Sequence, residues 1–225
     1  MCKSLLALLG LLLFSSTKIF ALEESTRWEK EIQHFASSDK TNPPPQGAVL
    51  FVGSSSIRLW KTLAADFPRH RVINRGFGGS QLDDSVHYFN RIIAPYNPKL
   101  IVLYAGGNDI NAGKSPAQIF DAFTNFVAKT RQTLPETRVA YISIAPNPAR
   151  WSQVARVKAA NQLIKEFTEK DEKLAFINVF PAMLGKNGDP KPDIFQKDGL
   201  HMNAQGYAIW RSLVQPYLEQ FPARK

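Results

Sequence analysis

Asp198-Gly199-Leu200-His201 sets a carboxylate and an imidazole three positions apart around a glycine. At that spacing the carboxylate can reach one ring nitrogen, fix the tautomer and stabilise the imidazolium, while the other nitrogen works as a base. The same pair also suits a histidine that merely caps the last helix. Ser54-Ser55-Ser56, directly after Gly53, supplies three adjacent hydroxyls to which such a base could be applied. Serines at a strand-to-helix junction also cap helices, and Gly-Ser after a strand also suits phosphate oxygens. No Gly-Lys-Ser/Thr follows Gly53, and Ile57 stands where the second glycine of a Gly-x-Ser-x-Gly elbow would be. Gly78-Gly79 and Asn108 together offer backbone and side-chain N–H donors of the kind that hold an oxyanion, although each alone reads more readily as a structural turn. His34 and His87 fall on expected helices and His70 in a charged turn, where packing or surface roles suffice.

Those residues must be brought together by the elements around them. Val49 to Val52 is an apolar run ending in the glycine and the serines, after which Ile57, Trp60 and Leu63 predict a helix to about Phe67. Val72-Ile73-Asn74 is a second strand leading into Gly76-Phe77-Gly78-Gly79-Ser80, and a helix through Leu82, Val86, Phe89 and Ile93 follows. Leu100 to Tyr104 is a third strand, apolar on consecutive positions and so buried on both faces, ending in Ala105-Gly106-Gly107-Asn108-Asp109. Pro116 opens a long helix, Val139 to Ile144 is a fourth strand running into Ala145-Pro146-Asn147-Pro148-Ala149, and a helix spans Val154 to Thr168. Leu174 to Asn178 is a fifth strand, and a helix from Ala204 to Leu218 closes the chain. Five apolar strands alternating with helices predict a parallel sheet covered on both faces, with ligands gathered at the strands' carboxyl ends. Before the sheet, Trp28, Ile32 and Phe35 mark an amphipathic helix from Ser25 to Ser37, and Pro43-Pro44-Pro45-Gln46-Gly47 is a stiff lead-in.

At 225 residues, 44% hydrophobic and 21% charged, the chain is neither disordered nor fibrous. Residues 1–21 read as a secretory signal: Lys3, an apolar run from Leu5 to Phe14, then Ser15-Ser16-Thr17 and a small residue at Ala21. Ile19 and Lys18 make the cleavage site imperfect, so an uncleaved anchor is the alternative. The reading predicts export to a periplasm or the outside, with residues 22–47 as a helix and proline-rich lead-in and 48–225 as the working domain. The formal charge is +9, of which Lys3 and Lys18 contribute two, leaving +7. The longest basic group is Arg69-His70-Arg71, so no nucleic-acid footprint is present. The lone Cys2 precedes the apolar run, leaving the mature part without a thiol, disulfide or cysteine-metal site.

Taken together and in order, the four pieces resemble the SGNH (GDSL) hydrolases, in the branch that includes the platelet-activating-factor acetylhydrolases. Phe51-Val52-Gly53-Ser54-Ser55 is similar to the first block, Asn74-Arg75-Gly76-Phe77-Gly78-Gly79 to the second, Gly106-Gly107-Asn108-Asp109 to the third and Asp198-Gly199-Leu200-His201 to the last. The resemblance runs from about Ala48 to Trp210. It implies a flavodoxin-like three-layer α/β/α sandwich on a five-stranded parallel sheet, with Ser55 as nucleophile, His201 as base, Asp198 orienting it, and an oxyanion hole from Ser55, Gly79 and Asn108. Ser54 stands where the family usually has aspartate, and Ser56 is the second candidate for the nucleophile. The implied reaction is acyl transfer to water needing no metal or cofactor. The expected substrates are short-chain or acetyl esters, carbohydrate esters among them, with lysophospholipid or thioester next. Phe77, Asn147 and Trp151 are candidates for the substrate wall, and Trp60 for the wall or ordinary packing. Membrane contact is expected only through an uncleaved presequence. The rival from another class is a binding module for glycan or phosphate on the same scaffold, against which Asp198 and His201 count.

Overall fold

The computed structural model describes residues 27–220, so the expected presequence lies outside the described residues. The described residues divide into two compact units, residues 27–42 and 43–220. In the first, helix α1 is Glu29–Thr41, four residues further on than the spacing of Trp28, Ile32 and Phe35 suggested; Ile32 is its buried residue.

The second unit is built on five parallel strands, β1 (Val49–Gly53), β2 (Val72–Gly76), β3 (Leu100–Tyr104), β4 (Arg138–Ile142) and β5 (Leu174–Ile177), in the order β2-β1-β3-β4-β5. All five residues of β1 and of β3 are buried, as consecutive apolar positions require of strands covered on both faces. The flavodoxin-like order reverses direction between β1 and β3, and the crevice outside the carboxyl ends of those strands is where this architecture takes ligands. Gly53 pairs with Gly76 on one side and Tyr104 on the other, so three strand ends finish level. Neither glycine can carry a side chain: a Cβ on Gly53, at φ +134°, would lie 1.9 Å from the Tyr104 carbonyl oxygen, and one on Gly76 2.3 Å from the Arg58 amide nitrogen.

The long helices begin where the sequence signals them. Helix α7 (Pro116–Thr133) has proline in its first turn and a reciprocal Ser115–Gln118 capping box. Helices α8 (Val154–Thr168) and α9 (Ala204–Glu219) follow, the latter capped by Asn203, whose Oδ1 accepts from the N–H groups of Gln205 and Gly206. Elsewhere one expected helix is two. The segment after the serines is α2 (Ser55–Arg58) and α3 (Leu63–Asp66). Between them Trp60 turns inward to donate to Asp66 Oδ2 at 2.6 Å, across six positions that a continuous helix would not bring together, and Thr62 donates to the same oxygen at 2.7 Å. The next helix breaks at Tyr88 into α4 (Leu82–His87) and α5 (Phe89–Ile92). A short helix α6 (Gly107–Asn111) occupies the turn after β3. Trp60, Phe51, Phe67 and Trp210 form an aromatic cluster on one face of the sheet, with ring centroids 5.6–6.0 Å apart.

Candidate active site

Ser55 is the first residue of α2, immediately beyond the carboxyl end of β1. Its Oγ lies 3.0 Å from His201 Nε2, and His201 Nδ1 lies 2.6 Å from Asp198 Oδ2. Asp198 Oδ1 also accepts the backbone N–H groups of Leu200 and His201, both at 2.9 Å. These bonds, first the backbone N–H of His201, then its ring and the N–H of Leu200, hold the carboxyl down at about 2, so it is ionised at neutral pH. An ionised acceptor fixes the proton on Nδ1 and leaves the Nε2 lone pair for the serine hydroxyl.

The loop carrying the imidazole is fixed from several sides. The Gln196 N–H donates to the His201 carbonyl at 2.7 Å, Gln196 Nε2 to the Met202 carbonyl at 3.0 Å, and Asn203 Nδ2 to the carbonyls of Asp193 and Phe195. The histidine side chain keeps 24% of its surface exposed and Asp198 46%, so the pair works at the wall of an open cleft.

The three serines have separate fates. Ser54 is buried and its side chain makes no cap to α2. The Ser56 hydroxyl is hydrogen-bonded to Tyr104, whose phenol burial holds above its ordinary value. Ser55 alone of the three faces the imidazole.

Asn108, on α6, also lines the cleft, with Nδ2 donating to the Ser80 carbonyl at 3.0 Å. Gly79 sits in the turn closed by the Ser80 N–H on the Phe77 carbonyl, at φ +79°. It is not among the cleft-lining residues, and its N–H, like that of Ser55, has no acceptor among the described residues. Asp109 is wholly buried beneath this turn, accepting the Leu82 N–H on both oxygens at 3.3 Å and Lys114 Nζ at 3.1 Å. Burial nevertheless holds its carboxyl above the ordinary value, the lysine opposing.

Of the expected wall residues, the structure brings only Asn147 to the cleft. Its Oδ1 accepts the Arg150 N–H at 2.9 Å, capping a short 3-10 turn over residues 148–153. Phe77 is fully buried, its ring edge-on to Tyr88 at 6.0 Å, so an aromatic in the glycine turn has gone into the core and not to a substrate. Trp60 is also core. Trp151 lies outside the cleft, stacked on Phe180 at 6.5 Å and donating Nε1 to Asp189 at 3.1 Å.

The sequence reading missed Arg150. Its guanidinium lines the cleft, and Nη1 donates to the Gly107 carbonyl and to Asn108 Oδ1, each at 3.1 Å. Burial draws its proton affinity below the ordinary value. Tyr104, Met183, Met202 and Trp210 contribute apolar surface to the cleft lining. Among the described residues no group of three or more His, Cys, Asp or Glu is placed to hold a metal ion.

The model of the GDSL-like lipase/acylhydrolase family matches residues 48–209. Among solved structures, a Streptococcus pneumonia protein assigned as a platelet activating factor superposes with a TM-score of 0.76 at 20% identity, covering 90% of this chain and 99% of its own. A GDSL-like lipase from Bacteroides thetaiotaomicron gives 0.71 at 21% identity, covering 84% and 97%. A carbohydrate esterase family 3 protein from Talaromyces cellulolyticus gives 0.62 at 18%, covering 76% and 96%. At these identities the likeness is one of fold. No curated protein sequence matches the chain.

Proposed function

The chain belongs to the GDSL-like lipase/acylhydrolase family and is an ester-bond hydrolase, and from that premise we propose that Ser55, His201 and Asp198 are its catalytic triad, acting on acetyl and other short-chain esters. The observation that carries the assignment is the imidazole of His201 standing between the Ser55 hydroxyl and the Asp198 carboxylate at 3.0 and 2.6 Å.

In the proposed reaction Ser55 Oγ gives its proton to His201 Nε2 as it attacks the ester carbonyl, and the carbonyl π bond opens to an oxyanion. The N–H groups of Ser55 and Gly79 and the Asn108 amide receive that charge. The intermediate collapses by breaking the bond to the alcohol oxygen, which takes the proton from His201. Water, deprotonated by the same nitrogen, then attacks the acyl-serine, and the second intermediate collapses by breaking the bond to Ser55 Oγ, which takes the proton back from His201 as the acid leaves. Asp198 stays ionised throughout, stabilising the imidazolium at each transfer.

The preference for a short acyl chain is supported by Trp210, Met183 and Met202, three large buried side chains in the cleft lining. The Talaromyces carbohydrate esterase supports a sugar ester as the natural alcohol side. A turnover assay with para-nitrophenyl acetate, butyrate and octanoate, beside Ser55→Ala and His201→Ala and a phosphonate label, tests the reading. Activity falling from acetate to octanoate, lost in both variants, with the label on Ser55, is the expected result. A folded protein with neither turnover nor label would overturn it in favour of glycan or phosphate binding.

A further inference from the structure

We infer that Arg150 is a positioning residue that fixes and polarises the Asn108 amide for the oxyanion. The inference rests on the esterase reading above and assigns a residue that reading does not use.

An asparagine amide can face either way, and only one way serves an oxyanion. Arg150 can only donate, so the atom 3.1 Å from its Nη1 must be the amide oxygen. The Ser80 carbonyl can only accept, so the atom 3.0 Å from it must be the amide nitrogen. The two partners together specify the flip without ambiguity. Nδ2 carries two hydrogens, of which Ser80 takes one, so the second is left for an oxygen in the cleft that Asn108 lines.

The cation does more than orient. A positive group on the amide oxygen draws electron density from the nitrogen, and hydrogen bonds in series strengthen one another in a site screened in part from water. Among the described residues no carboxylate pairs with this guanidinium; its protein partners are the Gly107 carbonyl, the Asn108 amide oxygen and no other side chain. Its charge is therefore not neutralised locally, and an oxyanion beyond Asn108 would feel it.

The support around Arg150 is consistent with this use. Asn147 Oδ1 caps its backbone N–H. One stage further back, Asn161 of α8 brackets Ile144, accepting its N–H at 2.8 Å and donating to its carbonyl at 3.0 Å. The loop from β4 is thus pinned before and after the proline pair that delivers the guanidinium.

The test is a double-mutant cycle on the full chain with para-nitrophenyl acetate, using Arg150→Met, Asn108→Ala and the two combined, with rates normalised to active sites titrated to completion by a phosphonate. Removing one oxyanion donor costs about a hundredfold to a thousandfold in kcat, and a residue acting through that donor should account for roughly tenfold. The expected result is that Arg150→Met lowers kcat about tenfold with KM changed less than about threefold, and that the same change made on Asn108→Ala lowers kcat less than about twofold. Arg150→Gln, whose amide can present either end, should behave as Arg150→Met does. Methylguanidinium added to Arg150→Met should restore part of kcat, which a merely structural loss would not allow. Equal losses in both backgrounds, a loss confined to KM, or unchanged kcat in both Arg150 variants would each overturn the inference. Absence of turnover in the wild-type chain would strike the esterase reading itself, a result distinct from all of these.

Discussion

The Tyr207 hydroxyl donates to the Ser56 carbonyl at 2.9 Å, tying the first turn of α9 to the turn of α2 that follows β1. Tyr207 is buried against Trp60 and Trp210, so the bond lies in the aromatic cluster beneath the cleft. Through it the helix that follows His201 and the helix that begins at Ser55 share one fixed contact. Tyr207→Phe keeps the ring and removes the bond. We expect a loss of about 1 kcal/mol in unfolding free energy and a kcat reduction of a few-fold at nearly constant KM. Denaturant unfolding beside steady-state kinetics checks both, and an unchanged kcat would show that the contact serves stability alone.

The neighbouring hydroxyls separate cleanly under alanine substitution. Ser55→Ala should reduce kcat by about a thousandfold or more, since the triad acts as a unit. Ser56→Ala removes a hydroxyl engaged with Tyr104 and should remain within about tenfold of wild type, with a stability loss of about 1 kcal/mol. Reversal of that order would move the nucleophile to Ser56.

Asp198 carries a pH signature in stability. Its folded value of about 2 lies below the ordinary 3.8, so its contribution is fully present above about 4 and lost as pH falls toward 2. The wild-type advantage over Asp198→Asn, measured by thermal melts across that range, should therefore shrink on acidification and hold level from neutral pH down to about 5. A gap that widened on acidification would contradict the hydrogen-bonded, ionised carboxylate.

Asp109 has the opposite sign. Burial raises its value, with Lys114 as the compensating charge, and Lys114→Met leaves the carboxylate alone in the core. We expect a loss of about 3 kcal/mol at pH 7. The deficit should diminish on acidification, because a carboxyl with a raised folded value stabilises the fold as it takes up its proton. Since Asp109 accepts from the Leu82 N–H just beyond the glycine turn, kcat should fall with stability in this variant.

Much of this was legible in the chain itself, and the reasons differ by element. The five strands announced themselves because a parallel sheet buried on both faces needs unbroken apolar runs, and Leu100–Tyr104 falls where that run lies. Pro116 and Ser115 marked the start of α7 for the same local reason. The two short-helix breaks were not legible, because they depend on where Trp60 and Tyr88 find room in the core. Phe77 misled for a related reason: glycine flanks suggest an exposed loop, yet the ring turned inward. Asp198 and His201 are close in sequence and could be paired on spacing. Arg150 and Asn108 are 42 positions apart, and their contact depends on the capped turn that Asn147 starts. An Asn-Pro pair followed two residues later by arginine, after a strand expected to end beside Asn108, was the one available signal.

Ser55 and His201 stand 146 positions apart and meet only across the finished sheet. During synthesis the nucleophile is therefore made long before the base that must deprotonate it, and all five strands are complete before the imidazole appears. A chain stopped anywhere short of residue 201 has a serine with an ordinary alcohol's reactivity. Catalytic competence is in this sense a late event of folding, and ester turnover during refolding would report the docking of the C-terminal segment more directly than circular dichroism, which registers the helices whether or not that segment has closed.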